Sequence, residues 1–285
     1  MKKLLKKATC MVLAVAAATV SVGMFTACET KKPEVKMQIE FEGETYTLEY
    51  TLYREIAPET VKHFLKLAEN GYYDGVCVHN YDESASKMYT GAYEYNADAE
   101  YGGIVYKNYY DIVSKYEGFN HTVWADSNKA VPTYTLKGEF SANSFKVENG
   151  VLNQKFGSLT MQYTEKDFEE IEEVAVLRGK VSESGKDTDN KEYKYNSATS
   201  QFSIFLSTSE TADSEHCTFA TLKSGSVDDL EELVAAINDY EADFVTEYTV
   251  EVDRDDAFIA ELENTAVYNV PVSPIVIKSV KVTKY

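Results

Sequence analysis

The sequence predicts a mainly β domain that carries two amphipathic helices. Three observations lead there. Two runs of alternating apolar and polar residues flank a glycine turn at Gly43. An apolar stripe at helical spacing follows at Val61, Phe64, Leu65 and Ala68. A further run, Pro274 to Val282, reads as a final strand. Period two marks a half-buried strand, and spacing of i, i+3, i+4 and i+7 marks a helix with one buried face.

The elements follow in order. Met37 to Phe41 alternates, Glu42-Gly43-Glu44 turns, and Tyr46 to Tyr53 alternates again, which makes a hairpin. Pro58 suits the first turn of a helix, and Glu59 suits its positive end. Asn70-Gly71 ends that helix. Tyr72 to Gly75 is a turn, and Val76-Cys77-Val78-His79 begins another strand. A second helix is expected to start at Ser226, with Asp229 three residues on as its capping-box partner. Leu230, Leu233, Val234 and Ile237 supply its apolar face. No solenoid-type repeat is present, and the 22 tyrosines are enough for a sizeable core.

The N-terminus reads as an export signal. Lys2, Lys3, Lys6 and Lys7 are followed by an uncharged stretch from Ala8 to Val22, then Phe25-Thr26-Ala27-Cys28. A basic start, a short apolar core and small residues form a secretory signal. The core is short of the roughly 20 residues a spanning helix needs. The cysteine after the small residues makes the segment resemble a bacterial lipobox, with Phe25 at the usual leucine position. That resemblance implies cleavage before Cys28 and lipidation of its thiol, so residues 1–27 are lost. Two or three acyl chains anchor stably where one does not. Residues 28–36, polar and containing Pro33, read as a tether, and the expected location is the outer face of a bacterial cell membrane.

Cysteine usage and charge narrow the classes. With Cys10 removed and Cys28 lipidated, Cys77 and Cys217 remain, at a spacing without a metal-site pattern. They either pair outside the cell or sit free in the core, and the second is preferred because buried free cysteines are common. The chain has 28 basic and 47 acidic residues, a net charge of −19. Without the four signal lysines the balance is 24 against 47, or −23. Such a surface repels nucleic acid and anionic headgroups, so the membrane is expected as a partner only through the lipid. The acids are dispersed, which fits a soluble monomer.

Five blocks then resemble, in family order, the cyclophilin family of peptidyl-prolyl isomerases. They are Leu52 to Ala68 with Gly71 to Gly75 and His79; Lys137-Gly138-Glu139-Phe140-Ser141-Ala142-Asn143; Gly157 to Met161; Asn196-Ser197-Ala198-Thr199-Ser200-Gln201-Phe202; and His216 to Leu222 with Gly225 and Val227. The resemblance implies a closed eight-stranded β-barrel capped by two helices, spanning residues 37–285. Three insertions interrupt it, at about 92–133, 164–194 and 238–268. The first contains Trp124, the second an acidic start at Glu165–Glu173 and a polar loop at Ser182–Lys191. The third holds a short helix or strands around Phe244–Val250. Insertions this long are either binding loops or satellite cores over the barrel, and the packing reading is preferred.

The chemistry implied by the resemblance needs no metal or cofactor. Rotating an X–Pro bond crosses a barrier of about 18–20 kcal/mol set by amide resonance. A catalyst needs an apolar seat for the proline ring, anchors for neighbouring carbonyls, and a donor aimed at the prolyl nitrogen as it pyramidalises. In cyclophilins that donor is an arginine directly after the histidine that corresponds to His79. This chain has Asn80 there. A neutral amide in place of a guanidinium loses about 1.5–3 kcal/mol, roughly ten- to a hundred-fold in rate. Other groove positions also depart: Lys87 and Ser203 stand where the family has phenylalanines, Thr90 replaces a glutamine, and Gln162-Tyr163 follow Met161. Thr211 and Ala212 replace an aromatic residue and a leucine. Met88, Gln201 and His216 are retained. Lys87 is a candidate substitute cation. Two functions follow: a lipid-anchored isomerase of weakened activity acting on proline-containing peptides or exported unfolded proteins, or a non-catalytic cyclophilin-fold module that binds peptides or surface ligands.

Overall fold

The computed structural model describes residues 30–98, 103–146, 149–164, 173–179, 187–240, 245–251 and 265–285, for 245–251 and 265–267 the backbone alone. The signal segment, Cys28, Glu165–Glu172, Ser182–Lys186 and Phe244 lie outside the described residues.

In chain order the elements are β1 (Glu34–Phe41), β2 (Glu44–Leu52), α1 (Pro58–Glu69), β3 (Val76–Asp82), β4 (Lys87–Tyr95), β5 (Ile104–Tyr106), a short α2 (Tyr109–Val113) and β6 (Val123–Trp124). They continue with β7 (Leu159–Met161), β8 (Glu173–Leu177), β9 (Thr188–Glu192), β10 (Phe202–Phe205), β11 (Cys217–Leu222), α3 (Val227–Asp239), β12 (Val245–Glu251), β13 (Thr265–Pro271) and β14 (Val276–Lys284).

Eight strands close into a ring in the order β10-β7-β11-β2-β1-β14-β3-β4, and β10 pairs back onto β4. This is the mainly β closed ring of eight strands that the resemblance implies. Closure leaves no open edge within the ring. The hairpin forms as its alternation dictates: Val35, Met37, Ile39 and Phe41 are buried on β1, facing Leu48, Tyr50 and Leu52 from β2. The strand begins earlier than expected. Glu34-Val35-Lys36, read as tether, are ladder residues because β14 and β2 pair with them on both sides.

The helices plug the ring. On α1 the stripe Val61, Phe64, Leu65 and Ala68 is buried, and Phe64 packs at 4.9–5.5 Å from the rings of Tyr73, Phe202 and Phe219. Gly71, with φ +68°, follows the C-cap Asn70. Leu230, Leu233 and Ile237 bury the inner face of α3, with Val234 partly covered. The expected capping box at Ser226 and Asp229 does not form. Ser226 Oγ instead accepts the N–H of Glu49 at 2.9 Å, and Asp229 Oδ2 accepts that of Thr47 at 3.0 Å. Both side chains secure the helix to β2 rather than closing its own first turn.

The extra segments build satellite cores. Parts of the first two meet in a three-stranded sheet, β6-β8-β9, over Val123, Val174, Val176 and Tyr193. The third is the β12–β13 hairpin, and its Val270 packs with Cys77, Ala92, Tyr93 and Ile104. Cys77 and Cys217 are both free and buried.

The start of α1 is capped from far away in sequence. Glu139, 3% exposed, accepts the N–H groups of Glu59 and Thr60 at 3.1 and 2.9 Å. Burial raises its carboxyl from 4.5 to about 7, against the lowering effect of those N–H groups. A folded pKa above the unfolded one means that the protonated group stabilises below about pH 4.5, and that this contribution fades as pH rises through about 7. Replacing Glu139→Gln removes this titration. The wild type should therefore lose stability relative to the variant between pH 5 and pH 8, read as the difference between their urea midpoints; a difference independent of pH contradicts the assignment.

Candidate functional site

β10 lies between β4 and β7, with Phe202 opposite Thr90 and Met161, Ser203 opposite Tyr89 and Thr160, and Ile204 opposite Met88 and Leu159. Alternation along each strand then sorts the residues by face. Met88, Met161, Phe202 and Ile204 belong to the barrel core, and buried Thr90 donates to the Cys77 carbonyl at 2.8 Å. Lys87, Tyr89, Ser203 and Phe205 share the opposite face. So Met88, Thr90 and Met161 are placed inside the ring, while Lys87, Ser203 and Gln162 lie on the side of β4, β10 and β7 that faces away from the ring, with Ser203 covered there.

That surface is polar in its middle. Gln162 Nε2 donates to Ser203 Oγ at 3.0 Å and to the Thr160 carbonyl at 3.1 Å. Ser203, fully buried, thus meets an amide where an aromatic ring was expected from family resemblance.

One end of the surface is built on a bulge in β3. The register between β3 and β4 shifts between Val78 and Asn80, so two residues of β3 oppose one of β4. His79 is buried, and burial holds its imidazole neutral, with a pKa of about 3, against the raising effect of a hydrogen bond with Gln201. Tyr93 and Tyr268 flank its ring at 4.8 and 4.9 Å. The neighbouring Asn80 accepts the main-chain N–H of Asn269 on its Oδ1, at 2.9 Å.

The other end is a stack of rings. Tyr163 lies on His216 at 4.8 Å and 18° and on Phe140 at 5.6 Å and 23°, and Tyr195 meets both Tyr163 and Phe140 edge-on. Asp213 holds His216, its Oδ2 at 3.0 Å from Nδ1. Burial opposes ionisation of Asp213, but the hydrogen bond and charge of His216, with help from the Glu215 N–H and Lys87, hold its carboxyl at about 2. In the strand register Lys87 lies opposite Asp82 of β3 and Phe205 of β10. Thr211 and Ala212 are exposed, and the backbone of Thr211 exchanges hydrogen bonds with Gln154.

A family model for "cyclophilin type peptidyl-prolyl cis-trans isomerase/CLD" matches residues 35–282. The chain belongs to the cyclophilin type peptidyl-prolyl cis-trans isomerase family. Among solved structures, a cyclophilin type peptidyl-prolyl cis-trans isomerase of Cryptosporidium parvum is similar at 15% identity and a TM-score of 0.44, covering 89% of this chain and 99% of its own. The same isomerase in the presence of the dipeptide Ala-Pro gives 15% identity, a TM-score of 0.44, and coverage of 88% and 99%. No curated protein matches the chain.

The Asn-Ser-Ala-Thr-Ser-Gln block of this cyclophilin supports the surface from beneath. Asn196 Oδ1 accepts from Gly138 N and Asn143 Nδ2 at 3.1 and 2.9 Å, which fixes the segment bearing Phe140. Ser200 donates to the Gly91 carbonyl at 2.6 Å, and Gln201 follows it at the head of β10. Sequence reasoning singled out Gln201 and His216 but missed Asp213, Phe140, Tyr195, Tyr268 and Asn269. Of these only Asp213, three residues before a histidine in a turn, left a local signal.

Gly91 is the tightest point of the assembly. Its φ is +100°, and a Cβ there would stand 2.3 Å from the Ser200 carbonyl oxygen. Gly91→Ala should combine left-handed strain with overpacking and lower stability by about 3 kcal/mol. Urea unfolding measures this, and a loss under about 1 kcal/mol would mean that the crossing at Ser200 is loose.

Proposed function

We propose that this cyclophilin is a lipid-anchored, extracytoplasmic peptidyl-prolyl cis-trans isomerase of reduced activity, acting as a monomer on proline-containing segments of exported unfolded proteins. The observation that carries the reading is that Asn80, at the position of the family arginine, and the retained Gln201 and His216 lie at the two ends of one polar face over β10. Isomerisation needs no covalent step, so such a surface works by holding the chain and by favouring the twisted amide. In this reading Asn80 donates to the prolyl nitrogen as it loses conjugation. Gln201, already engaged with His79, anchors a flanking carbonyl, and His216, braced by Asp213, borders the proline ring. Lys87 adds positive potential on the same face of β4. Slow X–Pro steps limit folding outside the cytoplasm as they do inside, which gives an exported isomerase its substrates.

A second reading, a non-catalytic module for peptides or surface ligands, is favoured by one observation. Tyr163 is stacked between Phe140 and His216, and Ser203 is bonded to Gln162, so apolar room for a proline ring is small.

Isomerisation of X–Pro peptides and refolding of a proline-limited protein, each with the full chain in detergent, separate the two. Slow but measurable acceleration is expected, and Asn80→Arg should raise kcat/KM roughly ten- to a hundred-fold by restoring a charged donor. No acceleration at high protein concentration removes the isomerase reading and leaves the binding module.

The anchor is tested separately. Cys28→Ala should move the protein from the membrane fraction to the soluble fraction and abolish fatty-acid labelling. Retention in the membrane without label would point to an uncleaved anchor instead.

A further inference from the structure

The β12–β13 hairpin seats three consecutive residues on the bulge that carries His79 and Asn80. Tyr268 sets its ring edge-on to His79 at 4.9 Å and to Tyr93 at 5.5 Å, with the two tyrosine hydroxyls 3.4 Å apart. Val270, 1% exposed, is buried beside Cys77 and Tyr93. Between them, the main-chain N–H of Asn269 points at Asn80 and donates to its Oδ1 at 2.9 Å. This contact decides which way the Asn80 amide faces. An amide carries one acceptor and one pair of donors on the same carbon, and turning it over would set its NH2 against the N–H of Asn269. The oxygen therefore faces the hairpin and Nδ2 faces away from it.

We propose that the β12–β13 hairpin is a positioning element of the isomerase site: the Asn269 main-chain N–H holds Asn80 so that its Nδ2 donor is directed at the prolyl amide. The inference rests on the isomerase reading of the same surface. It supplies what a neutral donor otherwise lacks. A guanidinium has a rigid fork, whereas an asparagine amide rotates and must be ordered at the moment of reaction. A donor fixed beforehand needs no reorganisation in the transition state. The bond accepted at Oδ1 also polarises the amide and strengthens Nδ2–H as a donor. Asn269 acts through Asn80, so its effect should fall on the twisted state rather than on substrate binding.

The hairpin register provides a probe. Asn269 lies opposite Glu247, and its single N–H is given to Asn80 rather than to β12. Proline at 269 therefore deletes that donor without removing a hydrogen bond of the β12–β13 ladder. In the full chain, Asn269→Pro should lower kcat about ten-fold with KM unchanged. Asn80→Asp, which retains the acceptor and loses the donor, should fall to the uncatalysed rate while the Asn269 amide stays protected from hydrogen exchange. By NMR, an Ala-Pro-containing peptide should shift the Asn80 side-chain amide protons of the wild type and fail to do so in Asn269→Pro, at an unchanged melting temperature. Wild-type kcat in either variant overturns the proposal. A wild-type chain without turnover removes the isomerase reading instead, and the NMR arm then decides alone. A peptide-induced shift lost in Asn269→Pro supports positioning of a binding amide, and no shift overturns it.

Discussion

Everything in this molecule depends on β10 being paired along both edges. Phe202 to Phe205 close the ring by joining β4 to β7, and without that joint the remaining strands form an open sheet with two bare edges. The joint is sterically demanding. The chain reaches β10 through Ser200 and Gln201, which cross directly over β4 at Gly91, where no side chain fits. Ser200 then fastens the crossing from both sides, bonded to the Gly91 carbonyl and to the Tyr72 hydroxyl. Because β10 is fixed this tightly, the residues on its outer face and at its head are fixed with it. The same constraint that closes the barrel therefore builds the candidate site, with Gln201 at the head of β10 bonded to His79.

The second level of organisation is long-range capping. Glu139 terminates α1 from 80 residues away, Ser226 and Asp229 tie α3 to β2 across more than 170 residues, and Asn196 gathers the segment that holds Phe140. Glu139, Ser226 and Asn196 are buried and Asp229 half-buried, and the desolvation of such groups is offset only when their partners are in place. Such groups make the fold specific, since a slipped register leaves several of them unpaired at once. They also explain how the satellite cores are tolerated. Lengthening a surface connection adds little closure entropy, and the added strands bury their own apolar residues against the rim of the barrel.

The fold was legible in the sequence where periodicity decides it. The alternation in Met37–Phe41 and Tyr46–Tyr53 and the stripe on α1 each report one buried face, and burial is local information. The capping box at Ser226 was misread because a serine and an aspartate three residues apart satisfy a helix start and a cross-element clamp equally well. Sequence spacing does not say which donor arrives. Glu34 to Lys36 passed for a tether because two of the three are charged, although Val35 between them is buried in the core and all three pair in the ladder. At the site, resemblance located Asn80, Gln201 and His216 by position, but their surroundings depend on partners far off in sequence. Nothing near Asn80 announces Asn269, and nothing in Gln162 or Ser203 alone says that they bond to each other. Contacts of this kind come from closure of the ring, which no window of sequence contains.

The departures from the family pattern fall on two different parts of the chemistry. In the proposed reading, Ser203 and Lys87 in place of pocket aromatics remove apolar surface that would touch the proline ring in the planar and the twisted amide alike. That loss is uniform, so it weakens substrate binding and leaves the step itself almost untouched. Replacing the arginine with Asn80 acts on the twisted state alone, where the prolyl nitrogen regains its lone pair and can accept a hydrogen bond. An enzyme retaining the donor geometry but not the pocket would turn over slowly at low peptide concentration and recover when substrate is abundant. In the proposed function the chain is anchored where unfolded polypeptide emerges and meets its substrate at high local concentration, and there a weak seat for proline is a smaller handicap than a misdirected donor. Orientation of the Asn80 amide is thus the more consequential of the two, and the bulge at His79 with the hairpin seated on it is the part of the structure that sets it.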